Sequence, residues 1–304
     1  MLKKIRSAEI NKFPETKTMY QLFCDSNCEL WYTTVAELGL NVIRMPYTIG
    51  DKEYFYDMGE KTDFKAFFDQ MRAGAVPKTS ALNEFAYTEY FEPVLARGED
   101  IYYVTFSHKM SATFNAMDAA IAKLKEKYPD RKIMTKDAKS ISLGSGFVTY
   151  YAALKKRDGA TMEELDAYLD ELIPHTATYF AVDDLTYLHR GGRISGATKI
   201  VGGLLNIKPV LYFDDEGKIV SIAKARGFRN ALSKLLSYAE EKGSELDKYK
   251  MFVLQADCEE LANSFAETLR TRFDADVTVQ PVGPVIGAHC GPGTIGLIFH
   301  CTER

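Results

Sequence analysis

Strand-like and helix-like hydrophobic patterns alternate along the first half of this 304-residue chain, and this alternation constrains its fold more than any other feature. Strand patterns are predicted at residues 19–23, 41–49, 101–106 and 132–136. Helical spacing is predicted at residues 29–38, 63–71, 83–95, 111–127 and 142–156. This βαβα order is typical of a parallel sheet covered by helices on both faces, with the loops after the strands along one edge.

The pattern changes after a further predicted helix at residues 163–172. Strands are predicted at 179–182, 207–213, 218–224, 251–256, 277–282 and 294–300, and helices at 231–242 and 258–273. The turn Asp214-Asp215-Glu216-Gly217 joins two of the strands into a hairpin, which favours a mixed sheet. We therefore expect an α/β protein with a polar lead-in at 1–18, an α/β/α domain at 19–176 and a mixed-sheet α/β domain at 177–304.

The composition excludes several classes of protein. The formal net charge is −4, with 38 basic and 42 acidic residues spread along the chain, so no basic surface for nucleic acid is expected. No apolar stretch is long enough for a secretory signal or a membrane span, so we expect a cytoplasmic protein without integral membrane contact. The five cysteines form no zinc pattern and are expected to be free thiols. Nucleotide-binding glycine motifs are also missing, so neither a metal nor a cofactor is predicted.

Four short polar stretches are too specific to be scaffolding alone: 77–80 (PKTS), 107–113 (SHKMSAT), 224–229 (KARGFR) and 287–293 (GAHCGPG). Ser111 precedes apolar residues with helical spacing, which predicts that it caps the helix. A helix N-terminus also favours a bound carboxylate, so Ser111 is either an anion ligand or only a cap.

The other three stretches leave similar alternatives open. Thr79 and Ser80 either contact the same anion or form only a turn and a helix entry after Pro77. In the fourth stretch, His289 is either a donor to an anion or a structural histidine, and the glycines allow close approach of a ligand or of another chain segment. Arg226 and Arg229 either have a functional role or belong to a solvated charged face.

Taken in order, these landmarks resemble the DegV family, the fatty-acid-binding subunits of bacterial fatty acid kinase. The matching stretches are Asp25-Ser26, 77–80, 107–114, Asp137 with 140–146, 185–195 (LTYLHRGGRIS), 205–211 (LNIKPVL), 226–232 and 286–293. The resemblance covers nearly the whole chain after the lead-in. It implies a three-layer α/β/α parallel-sheet domain beside a two-layer α/β domain with a mixed sheet, and a lipid site between them.

The resemblance also implies a function and a set of site residues. The family's carboxylate ligands fall on Thr79, Ser111 and His289, with Ser80, Ala112, Gly287 and Gly291 in supporting positions, and Arg226 and Arg193 at the head group or the kinase-docking surface. A protein of this kind is a carrier and not an enzyme. It holds a long-chain fatty acid for a separate fatty acid kinase, which forms an acyl phosphate for phospholipid synthesis. Transient contact with a membrane surface is compatible with this role.

Some positions depart from the family pattern, and two other functions remain open. Ala112 replaces a usual glycine, and Asn27-Cys28 replaces a usual threonine-alanine pair. One alternative is a serine-dependent lipid hydrolase built from Ser111, His289 and Asp25. The other is a lipid sensor without a kinase partner. The sequence leaves open the acyl chain's length and unsaturation, the tunnel-lining residues, the kinase's identity and the oligomeric state.

Overall fold

The computed structural model describes residues 20–194 and 206–304. The predicted lead-in at 1–18 therefore lies outside the described residues, as do Ser195 and Leu205 at the ends of two of the motifs.

The strands of the described residues lie in three sheets. They are β1 (Tyr20–Asp25), β2 (Asn41–Ile43), β3 (Pro46–Ile49), β4 (Lys52–Phe55), β5 (Lys78–Thr79), β6 (Asp100–Thr105), β7 (Ile133–Asp137), β8 (Thr176–Ala181), β9 (Ile207–Phe213), β10 (Ile219–Arg226), β11 (Met251–Gln255), β12 (Val277–Pro281) and β13 (Ile295–His300).

The helices cover the sheets and link their strands. They are α1 (Tyr32–Glu37), α2 (Phe64–Arg72), α3 (Glu84–Ala96), α4 (Thr113–Lys127), α5 (Leu143–Arg157), α6 (Met162–Leu172), α7 (Thr186–Arg190), α8 (Gly227–Lys242), α9 (Glu259–Phe273) and α10 (Pro284–Cys290), with short 3-10 helices at Ser26–Cys28 and Ile173–His175.

The predicted parallel sheet is present and has the strand order β2-β1-β6-β7. All its pairs are parallel, as in the register of Tyr20 with Asp100 and of Ile101 with Ile133. Apart from Cys24, Asp25 and Thr105, the buried strand residues are aliphatic or aromatic, as expected for a sheet covered on both faces. Because its strands run in one direction, the segments after β1, β6 and β7 meet along one edge, where three of the sequence motifs lie.

The predicted mixed sheet is also present, with the order β10-β9-β8-β13-β11-β12. Its neighbouring pairs are antiparallel except for β11 and β12. Alternate residues face opposite sides: Phe180 and Leu254 join a core shared with the parallel sheet, whereas Tyr179 and Val253 join a second core under α8 and α9. The fold class predicted from the sequence, a parallel sheet with a separate mixed sheet, is therefore confirmed. The domain boundary at residues 176 and 177 stays a prediction.

The single strand predicted at residues 41–49 is wrong, because this segment forms two strands in different sheets. β2 joins the parallel sheet, whereas β3 pairs with β4 and β5 in a three-stranded antiparallel sheet that the sequence did not predict. Between the two strands, the Met45 N–H donates to Ser26 Oγ at 2.9 Å. Pro46 has no N–H for a ladder bond, which favours a break here.

The helix predicted from residue 29 begins only at Tyr32. Glu29 instead adopts a left-handed conformation with φ of 54° and is buried. Within the described residues, no helix is long and apolar enough to cross a membrane.

Candidate functional site

A cavity lies between the loop edge of the parallel sheet and one face of the mixed sheet. Its empty space, counted together with the solvent at its open mouth, is about 880 Å³. The apolar lining residues are Met45, Phe106, Met110, Ile141, Phe180, Leu188, Phe213, Ile219, Leu254, Val285, Ile286 and Cys290. The polar lining residues are Asn27, Thr79, Ser80, Ser111, Thr113, Ser142, Thr178, Arg193, His289 and Thr294. No tyrosine is among the described lining residues, although the chain contains 18 of them.

Thr79, Ser111, Arg193 and His289, called here the donor cluster, come together in this cavity from distant parts of the sequence. Thr79 Oγ1 and His289 Nε2 are 2.9 Å apart, across 210 residues of chain. The Arg193 guanidinium donates from Nε to the carbonyl oxygen of Met110, next to Ser111, at 3.1 Å. All four residues were predicted from the sequence as head-group or docking residues, and Ser80 lines the same cavity.

Ser111 was predicted to cap its helix, and the structure places it one residue before the cap position. α4 begins at Thr113, and the cap position is Ala112, which makes no side-chain capping bond. Ser111 Oγ instead accepts a hydrogen bond from the Thr113 N–H at 3.2 Å, so its own O–H remains available to the cavity. Ala112 is exposed and is not among the described lining residues.

Thr113, which the sequence did not single out, fixes the segment after Thr79 to the start of α4. Its Oγ1 accepts from the Leu82 N–H at 3.1 Å and lies 3.0 Å from the Tyr87 hydroxyl. Thr113 is 1% exposed, so these bonds are shielded from water. The two loops that carry Thr79 and Ser111 are thereby held beside each other.

His289 was predicted to lie in a loop, but it lies in helix α10, which begins at Pro284. Proline at a first helical position was the signal that could have revealed this helix. Burial, together with the nearby Arg193 charge, lowers the pKa of His289 to about 4, so the imidazole is neutral at pH 7. A Cβ at Gly191 would lie 2.2 Å from His289 Nδ1, so the glycine of the 185–195 motif makes room for the ring.

The glycines of the 287–293 stretch approach protein side chains. A Cβ at Gly287 would lie 2.9 Å from Phe68 Cζ, and one at Gly291, where φ is 74°, would lie 2.3 Å from Tyr187 Cδ2. Neither glycine is among the described lining residues. The sequence left open whether these glycines allow close approach of a ligand or of another chain segment. The structure shows close approach of another chain segment.

The two predicted arginines lie in different environments. Arg193 is half-buried in the cavity wall, and burial alone lowers its pKa, with no acidic partner among the described residues. Arg226 is exposed at the end of β10 and is not among the described lining residues. The structure therefore places Arg193, and not Arg226, in the wall of the cavity.

The residues of the alternative hydrolase are not arranged as a triad. Asp25 accepts from the Tyr103 hydroxyl at 3.0 Å and from the Asn27 N–H at 2.9 Å, whereas His289 contacts Thr79. No hydrogen bond within the described residues joins Ser111 to His289 or His289 to Asp25. The same residues contain no group of histidine, cysteine or acidic side chains suited to hold a metal ion.

A second polar group, called here the carboxyl cluster, consists of Asp25, Glu29 and Ser142, of which Ser142 also lines the cavity. Ser142 Oγ hydrogen-bonds to Glu29 Oε2, and the Gly283 N–H donates to Glu29 Oε1 at 2.5 Å. Burial raises the pKa of Glu29 to about 8 and that of Asp25 to about 7. Sequence reasoning missed Glu29 and Ser142 because their contacts span 113 and 254 residues of chain.

The comparisons with known proteins agree with this architecture. The family model described as "Uncharacterised protein, DegV family" matches residues 19–301. A DegV domain-containing protein of Clostridium perfringens is 35% identical over 281 residues, covering 92% of this chain and 97% of the relative.

Two solved structures are similar over nearly their whole length. A DegV family protein from Thermus thermophilus, described for its fatty acid binding, has a TM-score of 0.83 and 26% identity and covers 93% of this chain and 99% of its own. DegV from Bacillus subtilis, described as a fatty acid binding protein, has a TM-score of 0.82 and 25% identity, with coverage of 94% and 100%. Family model, sequence relatives and fold thus agree, and the chain belongs to the DegV family.

Proposed function

We propose that this chain binds one long-chain fatty acid in the cavity and presents its carboxylate to a separate, ATP-dependent fatty acid kinase that forms the acyl phosphate. The chain itself is a carrier in the cytoplasm and needs no cofactor besides the fatty acid. The observation that carries the binding step is the Arg193 charge, which has no acidic partner within residues 20–194 and 206–304. It lies beside neutral His289 and two hydroxyls in a cavity that also has a large apolar surface.

The acyl tail supplies most of the affinity in this proposal. A chain of about 16 carbons would bury about 15 methylene or methyl groups, worth about 12 kcal/mol at about 0.8 kcal/mol each before ordering costs. Phe180, Phe213 and Leu254 offer an apolar surface for it. The donor cluster therefore adds less to the affinity than the tail does. Its main role is to offset the free-energy cost of burying the carboxylate.

The head group needs hydrogen-bond donors, because a buried carboxylate without them costs several kcal/mol. Arg193 supplies charged N–H donors, and Ser111 supplies a hydroxyl. Because Thr79 Oγ1 and a neutral His289 share one hydrogen bond, this pair supplies one further donor, either the Thr79 O–H or the His289 Nδ1–H. A bound carboxylate would also raise the pKa of His289 from its value of about 4, because an opposite charge favours the imidazolium.

Native mass spectrometry of the purified protein tests this binding step. We expect a species that is heavier by one fatty acid, and extraction with organic solvent identifies the acid. Thr79→Ala and Ser111→Ala should each reduce retention about fivefold, since one hydrogen bond contributes about 1 kcal/mol. Thr268→Ala and Ser264→Ala on the exposed side of α9 are matched controls and should retain the acid. Unchanged retention in both site variants would remove the site assignment.

The presentation step is supported by the exposure of Arg226, which leaves its guanidinium accessible to a partner. We expect Arg226→Ala to keep the bound fatty acid but to lower acyl phosphate formation when a fatty acid kinase is added. Arg157→Ala, another exposed arginine at the end of α5, is the control. Full acyl phosphate formation by Arg226→Ala would show that Arg226 has no part in the kinase step. A pull-down with and without fatty acid separates the carrier from a sensor that meets no kinase.

A further inference from the structure

The donor cluster lies at one end of the strand pair formed by β8 and β13, called here the head-group end. The two strands are antiparallel, and Ala181 at the end of β8 pairs with Ile295 at the start of β13. α10, which carries His289, is the element before β13, and Arg193 follows α7, the helix after β8. These two segments pack together, since a Cβ at Gly191 would lie 2.2 Å from His289 Nδ1. A carboxylate at the donor cluster therefore lies beyond the Ala181 end of β8.

The lining residues furthest from the head-group end on β8, β9 and β10 are Thr178, Phe213 and Ile219, called here the far row. Thr178 is three residues before Ala181 on β8, which is about 10 Å at a rise of about 3.3 Å per residue. The register of β8 with β9 places Phe213 beside Thr178, and Phe213 pairs with Ile219 of β10. An acyl tail that starts at the donor cluster and follows these strands therefore reaches the far row last.

The space behind Thr178 is filled by buried groups from the parallel-sheet side. Thr178 Oγ1 accepts a hydrogen bond from Ser140 Oγ at 3.0 Å, and the two residues are 4% and 0% exposed. A Cβ at Gly144, in the first turn of α5, would lie 2.4 Å from Thr178 Oγ1 and 2.0 Å from Ser140 Oγ. Ser107 donates from its N–H to the Ser140 carbonyl and from Oγ to the Gly217 carbonyl, both at 2.7 Å. Because not even one further carbon atom fits at Gly144, the cavity is closed at this point.

Thr178 is the residue of the far row that contacts this closed end. Its hydroxyl is used by Ser140, which leaves its methyl group as the part that suits the end of an apolar chain. Phe213 and Ile219 continue the same apolar row. We propose that Thr178 forms the end of the tail channel and limits the length of the acyl chain that the protein accepts. This inference rests on the proposed function and narrows its substrate class by chain length.

Competition binding to the delipidated full chain, read by native mass spectrometry, tests the inference. The ligands are tetradecanoic, hexadecanoic and octadecanoic acid at equal concentration. Thr178→Leu adds the volume of about two methylene groups and should lower the ratio of bound octadecanoic to tetradecanoic acid about tenfold, since each methylene group changes binding about fourfold. Thr178→Ala removes about one such volume and should raise the ratio about fourfold. Thr278→Leu in β12, which is not among the described lining residues, is the matched control and should keep the wild-type ratio.

The two variants separate the effect of space from that of the hydrogen bond, because both remove the hydroxyl that pairs with Ser140. A shift in the same direction in both variants, or the wild-type ratio in both, would overturn the inference. Binding of tetradecanoic acid by Thr178→Leu shows that this variant is folded, and if it binds no acid, the presence or absence of the rise in Thr178→Ala decides. If the wild type binds none of the acids, the proposed function itself fails. If the wild type binds them and the ratio does not depend on residue 178, only this inference fails.

Discussion

The donor cluster and the carboxyl cluster are both polar groups within the same largely apolar interior, yet their hydrogen bonds are used differently. In the carboxyl cluster, both carboxylate oxygens of Glu29 and both of Asp25 have partners within the described residues. In the donor cluster, the Arg193 charge has no acidic partner among those residues, and His289 Nδ1 is buried without a hydrogen bond. Within residues 20–194 and 206–304, the carboxylates of the carboxyl cluster therefore have their partners, whereas the donor cluster keeps groups without one.

This difference predicts that one cluster stabilises the fold and the other binds the ligand. A satisfied buried network holds chain segments in place, and removing one member leaves the others unpaired. Glu29 connects the turn after β1 to Ser142 before α5 and to Gly283 before α10, the helix that carries His289. We therefore expect the carboxyl cluster to control the fold and the donor cluster to control the ligand.

The largest effect is expected on stability from Glu29→Ala. The substitution leaves the Gly283 N–H and the Ser142 hydroxyl without their partner and opens a small cavity, so the free energy of unfolding should fall by about 3 kcal/mol. Urea denaturation measures this change. Glu89→Ala on the exposed face of α3 is the matched control and should change stability by about 0.5 kcal/mol or less. A loss as small in Glu29→Ala as in the control would mean that the cluster is not structural.

The pH dependence of stability provides a second contrast. Burial raises the pKa of Glu29 to about 8. The stability that the protonated Glu29 contributes is therefore present at low pH and is lost as the pH rises toward 8. Burial lowers the pKa of His289 to about 4. The stability that the neutral imidazole contributes is therefore present above the ordinary histidine pKa of 6.5 and is lost as the pH falls toward 4. The two groups therefore act in opposite directions.

Between pH 7 and pH 8.5 the ionisation of Glu29 dominates the change in stability, because Asp25, with a pKa of about 7, is already about half ionised at pH 7. We expect the free energy of unfolding to fall by about 1 kcal/mol across this interval, since a shift of one pKa unit corresponds to about 1.4 kcal/mol. Urea denaturation at several pH values should show this decline in the wild type and in Glu89→Gln, and a much smaller one, due to Asp25, in Glu29→Gln. An equal decline in Glu29→Gln would assign the effect to another group.

These two clusters also show what the sequence can and cannot predict. Local patterns correctly indicated the parallel sheet, the hairpin of β9 and β10 and long amphipathic helices such as α9, because hydrophobic spacing and turn residues act over a few positions. The donor cluster was found through motif resemblance, which supplied Thr79, Ser111, Arg193 and His289. Without the resemblance, composition and spacing could not decide between a functional and a purely structural role for the residues that they indicated.

The missed features depend on tertiary contacts. β5 is two residues long and exists because Tyr47 pairs with Thr79, so no periodic pattern reveals it. In the sequence, Glu29 resembles the first residue of a helix. Its burial is explained only by its hydrogen bonds to Ser142 and Gly283, which are distant in the chain. Asn27 was noted as a departure from the family pattern, but nothing local in the sequence indicates that its amide oxygen is buried without a partner among the described residues.

Arg193→Met is expected to change the stability of the fold least and to lower the retention of the fatty acid clearly. Methionine keeps an unbranched apolar side chain but removes the charge, so the retained fatty acid should fall about tenfold, because a charge-assisted hydrogen bond contributes about 1.5 kcal/mol or more. The urea midpoint should change little. Arg226→Met is the matched control and should retain the acid. Equal retention in both variants would show that the Arg193 charge does not hold the head group.

A crystal structure of the chain with bound hexadecanoic acid tests the central claim most directly. We expect the carboxylate within hydrogen-bonding distance of Arg193, His289 and the Thr79 and Ser111 hydroxyls, with the tail beside Phe180 and Phe213. An acid bound in the reverse direction, or outside this cavity, would contradict the account.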